Sequence, residues 1–344
     1  MKKVFLVLLS WIILGSSTVN ALKMNTLYEG IIPVKTQSSE ERSIATQKAL
    51  MEVLIKVSGN DQIIRNPKIR SRLMTANNLV QEYGYEYPKI PNAENRYVLH
   101  LRFDKSGVNQ WLRDASAPIW GQNRSPIFAW IVSQKPDMIK IIQNDFNPWQ
   151  TILLENAARR GIPLMLPEKN PLDVLPTDIM NMSVDKLMQA SKRYNTVLIG
   201  YIQQNPDNTE TSQWKLISGK ESWDFSFSGN SEKEVLTKAI DQTVNTLSGK
   251  FGIVTTNAIQ KNIGLRVLGI SEQTDFTKLI RYLSRLTPVA SVGISKISGN
   301  EILLNVSLRS TEASFTEAIA LGQRLLPITI DFNAEPLIYQ WNPS

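Results

Sequence analysis

A multidomain chain combining α/β and α+β architecture is what this sequence predicts, and three observations carry the reading. A length of 344 residues exceeds what one ordinary core organises, and 42 % hydrophobic with 20 % charged residues is the composition of packed chains. The middle of the chain alternates short, continuously apolar runs with helical patterns, as strands buried on both faces do when helices lie over a mixed sheet. The carboxyl-terminal stretch reads strand, helix, strand, strand, helix, strand, the β-α-β-β-α-β order of a ferredoxin-like sandwich. The boundaries that follow are a leader over 1–21, an N-terminal α+β domain over 22–118, an α/β domain closed by a hairpin and a helix over 119–256, and a ferredoxin-like domain over 257–344.

The leader "MKKVFLVLLSWIILGSSTVNA" starts with two lysines, continues with an apolar block from Val4 to Leu14, and ends in small residues at Val19-Asn20-Ala21. That is a secretory signal layout with cleavage after Ala21, and its apolar block is too short to span a bilayer comfortably. Retained, it would tether the chain to the inner membrane; removed, it takes Lys2 and Lys3 with it and lowers the formal charge from +7 to +5.

In the first domain "NTLYEGIIPV" reads as extended, and Ser38 with Glu41 forms a capping box for a long helix. Leu50, Val53, Leu54 and Val57 share one face of that helix, and Lys48, Glu52 and Lys56 line the other. Gly59 ends it through a left-handed turn beside Asn60 and Asp61. Such a turn presents the negative end of the helix dipole, which argues against a phosphate cradle. Asn66-Pro67 opens a second predicted helix carrying Ile69, Leu73, Ala76, Val80 and Tyr83, with Gly84 as its stop. "RYVLHLRFD" alternates like a one-sided strand, and a short helix through Val108, Trp111 and Leu112 leads to Pro118.

The second domain opens with the buried strand Ile127 to Val132; Asn147-Pro148 starts a helix to Arg160 that Gly161 stops, and "IPLML" is a further strand. A proline-spaced loop, a helix over 184–194 and the strand "TVLIGYIQ" follow. Strands around Trp214 and Trp223 form a hairpin turning near Ser218-Gly219-Lys220, and Ser231 with Glu234 caps a helix to about Phe251. In the last domain "IGLRVLGI", "VASVGISKI", "EILLNVSL" and "ITIDF" are the strands, "DFTKLIRYLSRL" and "SFTEAIALGQRLL" the helices, and Ser314 with Glu317 supplies another capping box.

Composition removes several chemistries. With no cysteine there are no thiolate metal sites, thiol nucleophiles, disulfides or lipid-modified cysteine. His100 is the one histidine, on the polar phase of its strand with Arg102 and Asp104; a multi-histidine zinc site is impossible and no serine sits in a nucleophile elbow. Asp173, Asp178 and Asp185 form an acidic region whose members could pair as acid and base, or simply be solvated. Gly200, alone inside a strand, points to close packing, and no phosphate-loop or dinucleotide spacing occurs. No Lys/Arg run is long enough to track a nucleic acid backbone, while the mild positive excess allows weak association with a membrane surface. The tryptophans beyond the leader sit in phase with apolar neighbours and read as core, except Trp120 in "APIWGQNRSP": in a loop with Arg124, it is the candidate partner contact. No catalytic, cofactor-binding or metal-binding residue is assigned.

The blocks "LYEGIIPV", "ALMEVLIKVSGN", "YEY", "LRFD", "IWGQNRSPIFAWI", "RRGIPLMLP" and "RYNTVLIGYI", in this order from about Leu27 to Phe251, resemble the proteobacterial domain-of-unknown-function family 2066. The resemblance implies an exported envelope protein with no reaction, cofactor or catalytic residues to carry over. The expectation is a periplasmic, non-enzymatic adaptor or assembly protein of the cell envelope with an envelope protein as partner. The alternatives are a cell-wall or glycan hydrolase using paired aspartates and a peripheral anionic-lipid-binding protein. Oligomeric state is left open.

Overall fold

The computed structural model describes residues 22–23, 26–87, 96–168, 173–255, 258–328 and 336–343. The leader expected over 1–21 lies outside these residues. The fold is the expected mixture of α/β and α+β, with buried apolar side chains gathered into separate clusters along the chain. No helix among the described residues is long and apolar enough to cross a membrane.

The first unit has β1 (Glu29–Val34), α1 (Ser39–Ser58), β2 (Val80–Glu86), β3 (Tyr97–Phe103) and α2 (Lys105–Asp114). The three strands form an antiparallel sheet in the order β1-β3-β2. The Ser38 hydroxyl accepts the Glu41 amide at 3.2 Å, but the Glu41 carboxylate turns back to the amides of Lys35 and Thr36 instead of Ser38, closing a wider loop than a capping box. Leu50, Val53, Leu54 and Val57 are all fully buried against the sheet.

The second helix expected from Asn66 to Gly84 does not form. Asn66 and Pro67 start only the single turn Pro67–Arg70, a 3-10 segment covers Leu73–Leu79, and Val80–Glu86 is β2. Asn77 and Asn78 compete for backbone hydrogen bonds and weaken a helix, while pairing with β3 recruits the residues after them.

The middle unit has β4 (Ile127–Lys135), β5 (Met138–Ile141), α3 (Pro148–Arg160), β6 (Leu164–Met165), α4 (Pro176–Met180), α5 (Val184–Ala190), β7 (Thr196–Gln204), β8 (Glu210–Ser218), β9 (Glu221–Gly229) and α6 (Glu232–Phe251). Its mixed sheet runs β9-β8-β7-β4-β5, with β4 parallel to both β7 and β6. The hairpin partner β5 was not foreseen. One face packs on α3 and α6 through Leu153, Ala157, Val235, Ala239 and Ile240; the other packs on α4 and α5 through Ile179 and Leu187. Apolar cover on both faces explains why β4 and β7 are continuously hydrophobic.

Gly200 lies in β7 beneath the Trp214 indole, and a Cβ built there would stand 2.2 Å from the ring. A ring on a packed sheet cannot retreat that far, so Gly200→Ala is expected to lower stability by about 2 kcal/mol. The check is a urea titration followed by tryptophan emission, and an unchanged midpoint would contradict the packing.

The third unit has β10 (Lys261–Leu268), α7 (Gln273–Arg285), β11 (Val289–Ser298), β12 (Glu301–Leu308), α8 (Glu312–Gly322), β13 (Leu325–Pro327) and β14 (Leu337–Trp341). The sheet order β11-β12-β10-β14, with β10 and β14 parallel in its centre, is ferredoxin-like; β13 extends it by one short strand. Two details differ from expectation. The closing strand is "LIYQW", whose Leu337, Tyr339 and Trp341 alternate into the core, while most of "ITIDF" lies outside the described residues. Helix α8 is capped one turn early, by Thr311 accepting the Ser314 amide at 3.2 Å.

Candidate functional site

The loop carrying Trp120 and Arg124 does not present them to solvent. Trp120 is 5 % and Arg124 1 % exposed, stacked with the guanidinium carbon 4.1 Å from the ring centre. Arg124 donates to five main-chain carbonyls: Gly121 (3.2 Å), Trp120 (2.8 Å), Lys56 (2.6 Å), Arg160 (3.4 Å) and Gly161 (2.6 Å). Lys56 belongs to the last turn of α1, while Arg160 and Gly161 end α3. Two helix C-termini, each carrying partial negative charge, therefore converge on one buried cation. Burial pushes the Arg124 guanidinium down to about 9, which still leaves it charged at neutral pH.

Arg160, also fully buried, completes the joint by donating to Asp241 (2.7 Å), Asn245 (2.7 Å) and the Gly59 carbonyl (2.9 Å). The Ser248 hydroxyl donates to the same carbonyl at 3.0 Å, and the Trp120 amide donates to Val57 at 2.8 Å. Aromatic and arginine are thus paired as expected, but they join the first and middle units of the same chain. In this arrangement the pair is not exposed to an external partner.

The remaining candidates fall on the surface. His100 lies on the open face of the first sheet with Nε2 3.3 Å from a Glu86 carboxylate oxygen. Beside it Arg102 reaches Glu82 at 2.8 Å and Glu29 at 3.6 Å, while Asp104 leaves the row to cap α2. Asp173 and Asp185 are exposed. Asp178 accepts from the Leu175 amide and from Lys186 Nζ, each at 2.7 Å, and the Lys186 contact holds its carboxyl below the usual range, opposite to what a general acid needs. Among the described residues no group of acidic, histidine or cysteine side chains gathers to hold a metal. Of the tryptophans, Trp111, Trp120, Trp130, Trp214 and Trp341 are buried in apolar clusters, and Trp149 and Trp223 are half-buried against the middle-unit core.

An aromatic ridge that was not foreseen runs along the edge of the first sheet. Strand β2 is outermost, and its far side has no partner strand among the described residues. Tyr83 packs edge-on to Tyr85, Tyr85 to Tyr97, and Tyr97 lies beside Tyr87, with ring centres 6.2, 6.2 and 5.6 Å apart. Arg42, projecting from the first turns of α1, stacks 5.1 Å from the Tyr83 ring centre and donates to the Tyr85 hydroxyl at 3.4 Å, which keeps its charge fixed at the ridge. Tyr83 is 53 % and Tyr87 81 % exposed. Tyrosine and arginine on an open strand edge are the residues and the backbone geometry that bind extended polypeptide. The available signal was the two-residue spacing of Tyr83, Tyr85 and Tyr87, which is a strand period and not the end of a helix.

Residues 21–121 match the model of a domain of unknown function (DUF8605), a stretch that spans the first unit and the ridge. No curated protein matches the chain. The resemblance to family 2066 is corrected by this finding: the model that matches is that of a different family, and it ends at 121, well before Phe251.

Proposed function

We propose that the chain is an exported, non-enzymatic adaptor of the bacterial cell envelope, which binds an extended segment of an envelope protein along the free edge of β2. The observation that carries this reading is the tyrosine ridge with Arg42, four rings and a cation laid beside a strand edge that has no partner strand among the described residues. A strand added there would gain main-chain hydrogen bonds, and the rings would supply rigid apolar contact at low entropic cost. The leader supports export, with Leu22 as the first mature residue.

The test replaces Tyr87 with the photo-crosslinker p-benzoylphenylalanine in intact cells. A discrete adduct to one protein is expected in the periplasmic fraction, falling about tenfold when Arg42 and Tyr83 are both changed to alanine. The same crosslinker at Phe146, an exposed position on the middle unit, is expected to give no such product. Equal labelling from both positions, or none from Tyr87, overturns the proposal.

A further inference from the structure

A cleft of about 500 Å³ lies between the middle and third units, far in sequence from the tyrosine ridge and independent of the adaptor reading. Its third-unit wall is built from one face of α7 and from α8, which contributes Ser314, Glu317, Ala318 and Leu321. Lys278, Arg281 and Arg285 recur on α7 at steps of three and four, so all three line the cleft along about 10 Å of helix. Arg324 joins them from the segment after α8, anchored by donating to the Pro343 carbonyl at 2.8 Å. Among the described residues Glu317 is the one carboxylate in the lining, and Lys250 of α6, outside the cleft, interacts with it.

Several cations elsewhere in the chain are paired, Arg72 with Asp114, Arg102 with Glu82, Arg160 with Asp241 and Lys261 with Glu312, while others such as Lys48, Lys192 and Arg193 stand singly on the surface among the described residues. Lys278, Arg281 and Arg285 are exposed and make no ion pair among the described residues. Like charges at this helical spacing repel weakly, and an anion set against the row would relieve that repulsion. The rest of the lining suits the body of such a ligand. Tyr282 and Trp341, ring centres 6.4 Å apart, form an aromatic floor, and the Gly121–Asn123 loop offers polar backbone from the opposite wall. The volume is that of a small-molecule site.

We infer that this cleft binds a phosphorylated small molecule or headgroup with at least two anionic groups, held by Lys278, Arg281, Arg285 and Arg324 of the third unit against the middle-unit wall at Gly121–Asn123. Guanidinium groups match phosphate oxygens in pairs, and the spacing of three cations selects for more than one phosphate. Binding across two units would also fix their relative position.

Calorimetric titration of the mature chain tests this with inorganic tripolyphosphate as the soluble probe, and flotation with phosphatidic acid vesicles tests the lipid source. The triple variant Lys278→Gln, Arg281→Gln, Arg285→Gln is compared with a charge-matched control, Lys48→Gln, Lys192→Gln, Arg193→Gln, on other surfaces. All six positions are exposed, and circular dichroism confirms that both variants fold. Expected is binding to at least one probe that weakens by about tenfold or more in the cleft variant and is kept by the control. Loss with tripolyphosphate supports a soluble ligand, and loss with vesicles alone supports a lipid headgroup. Equal loss in both variants, or no binding of either probe to the unaltered chain, overturns the inference.

Discussion

Replacing Arg124 by methionine is expected to destabilise the folded chain by about 4 kcal/mol, the largest effect of any single substitution considered. Methionine restores most of the volume and the apolar contact with Trp120, so packing is not what is lost. The acceptors are main-chain carbonyls of Lys56, Trp120, Gly121, Arg160 and Gly161, which no side-chain change removes. Left without a donor in the interior, each costs its full desolvation, and the stacked cation 4.1 Å from the indole is gone as well. Lysine keeps the charge but has a single donor group on a flexible stem and cannot reach both helix ends, so Arg124→Lys is expected to recover less than half of the loss. Because these carbonyls belong to two units, the variant should also uncouple them. Urea unfolding followed by circular dichroism, one transition across the first and middle units in the parent, is expected to split into two. A single transition at the original midpoint would show that the arginine does not hold the joint.

Why this joint was not legible follows from the kind of information it contains. The ends of α1 and α3 were read correctly from Gly59 and Gly161, since a left-handed stop is encoded locally by glycine. The apolar runs of β4 and β7 and the ferredoxin-like strand order were legible for the same reason: burial on two faces, or strict alternation, leaves its mark in neighbouring residues. That both helix ends point at one guanidinium depends on Lys56, Arg124 and Arg160 meeting across long sequence separations, and no local period records that. The reading of Trp120 with Arg124 found the right pair for the wrong surface, because a loop flanked by prolines is more often outside than inside. At Val80–Glu86 local and long-range preferences disagreed. The helical spacing of Ala76, Val80 and Tyr83 competed with the strand spacing of Tyr83, Tyr85 and Tyr87, and pairing with β3 decided it. Lys278, Arg281 and Arg285 stand at helical spacing in the sequence, but it takes the walls supplied by Gly121–Asn123 and by α8 to turn that helix face into a cleft.

The turn "VSGND" ends α1 as its sequence suggested and in addition packs against α6, a contact that Gly59→Ala measures. Gly59 sits at φ 68°, where an alanine costs about 1–2 kcal/mol from its own Cβ. That Cβ would also stand 2.3 Å from Ser248 Cβ on α6 and 3.0 Å from the Trp120 ring, so α1 and α6 must part by more than a side-chain rotation allows. Parting them stretches the hydrogen bonds that Ser248 and Arg160 make to the Gly59 carbonyl. The combined loss is expected to be about 3 kcal/mol. Strain and collision separate in a double-mutant cycle: Ser248→Gly removes the colliding Cβ but not the left-handed backbone. Paired with Gly59→Ala, it is expected to restore about 1 kcal/mol beyond additivity in urea midpoints. Strict additivity would place the whole cost in the backbone and show that the end of α1 does not press on α6.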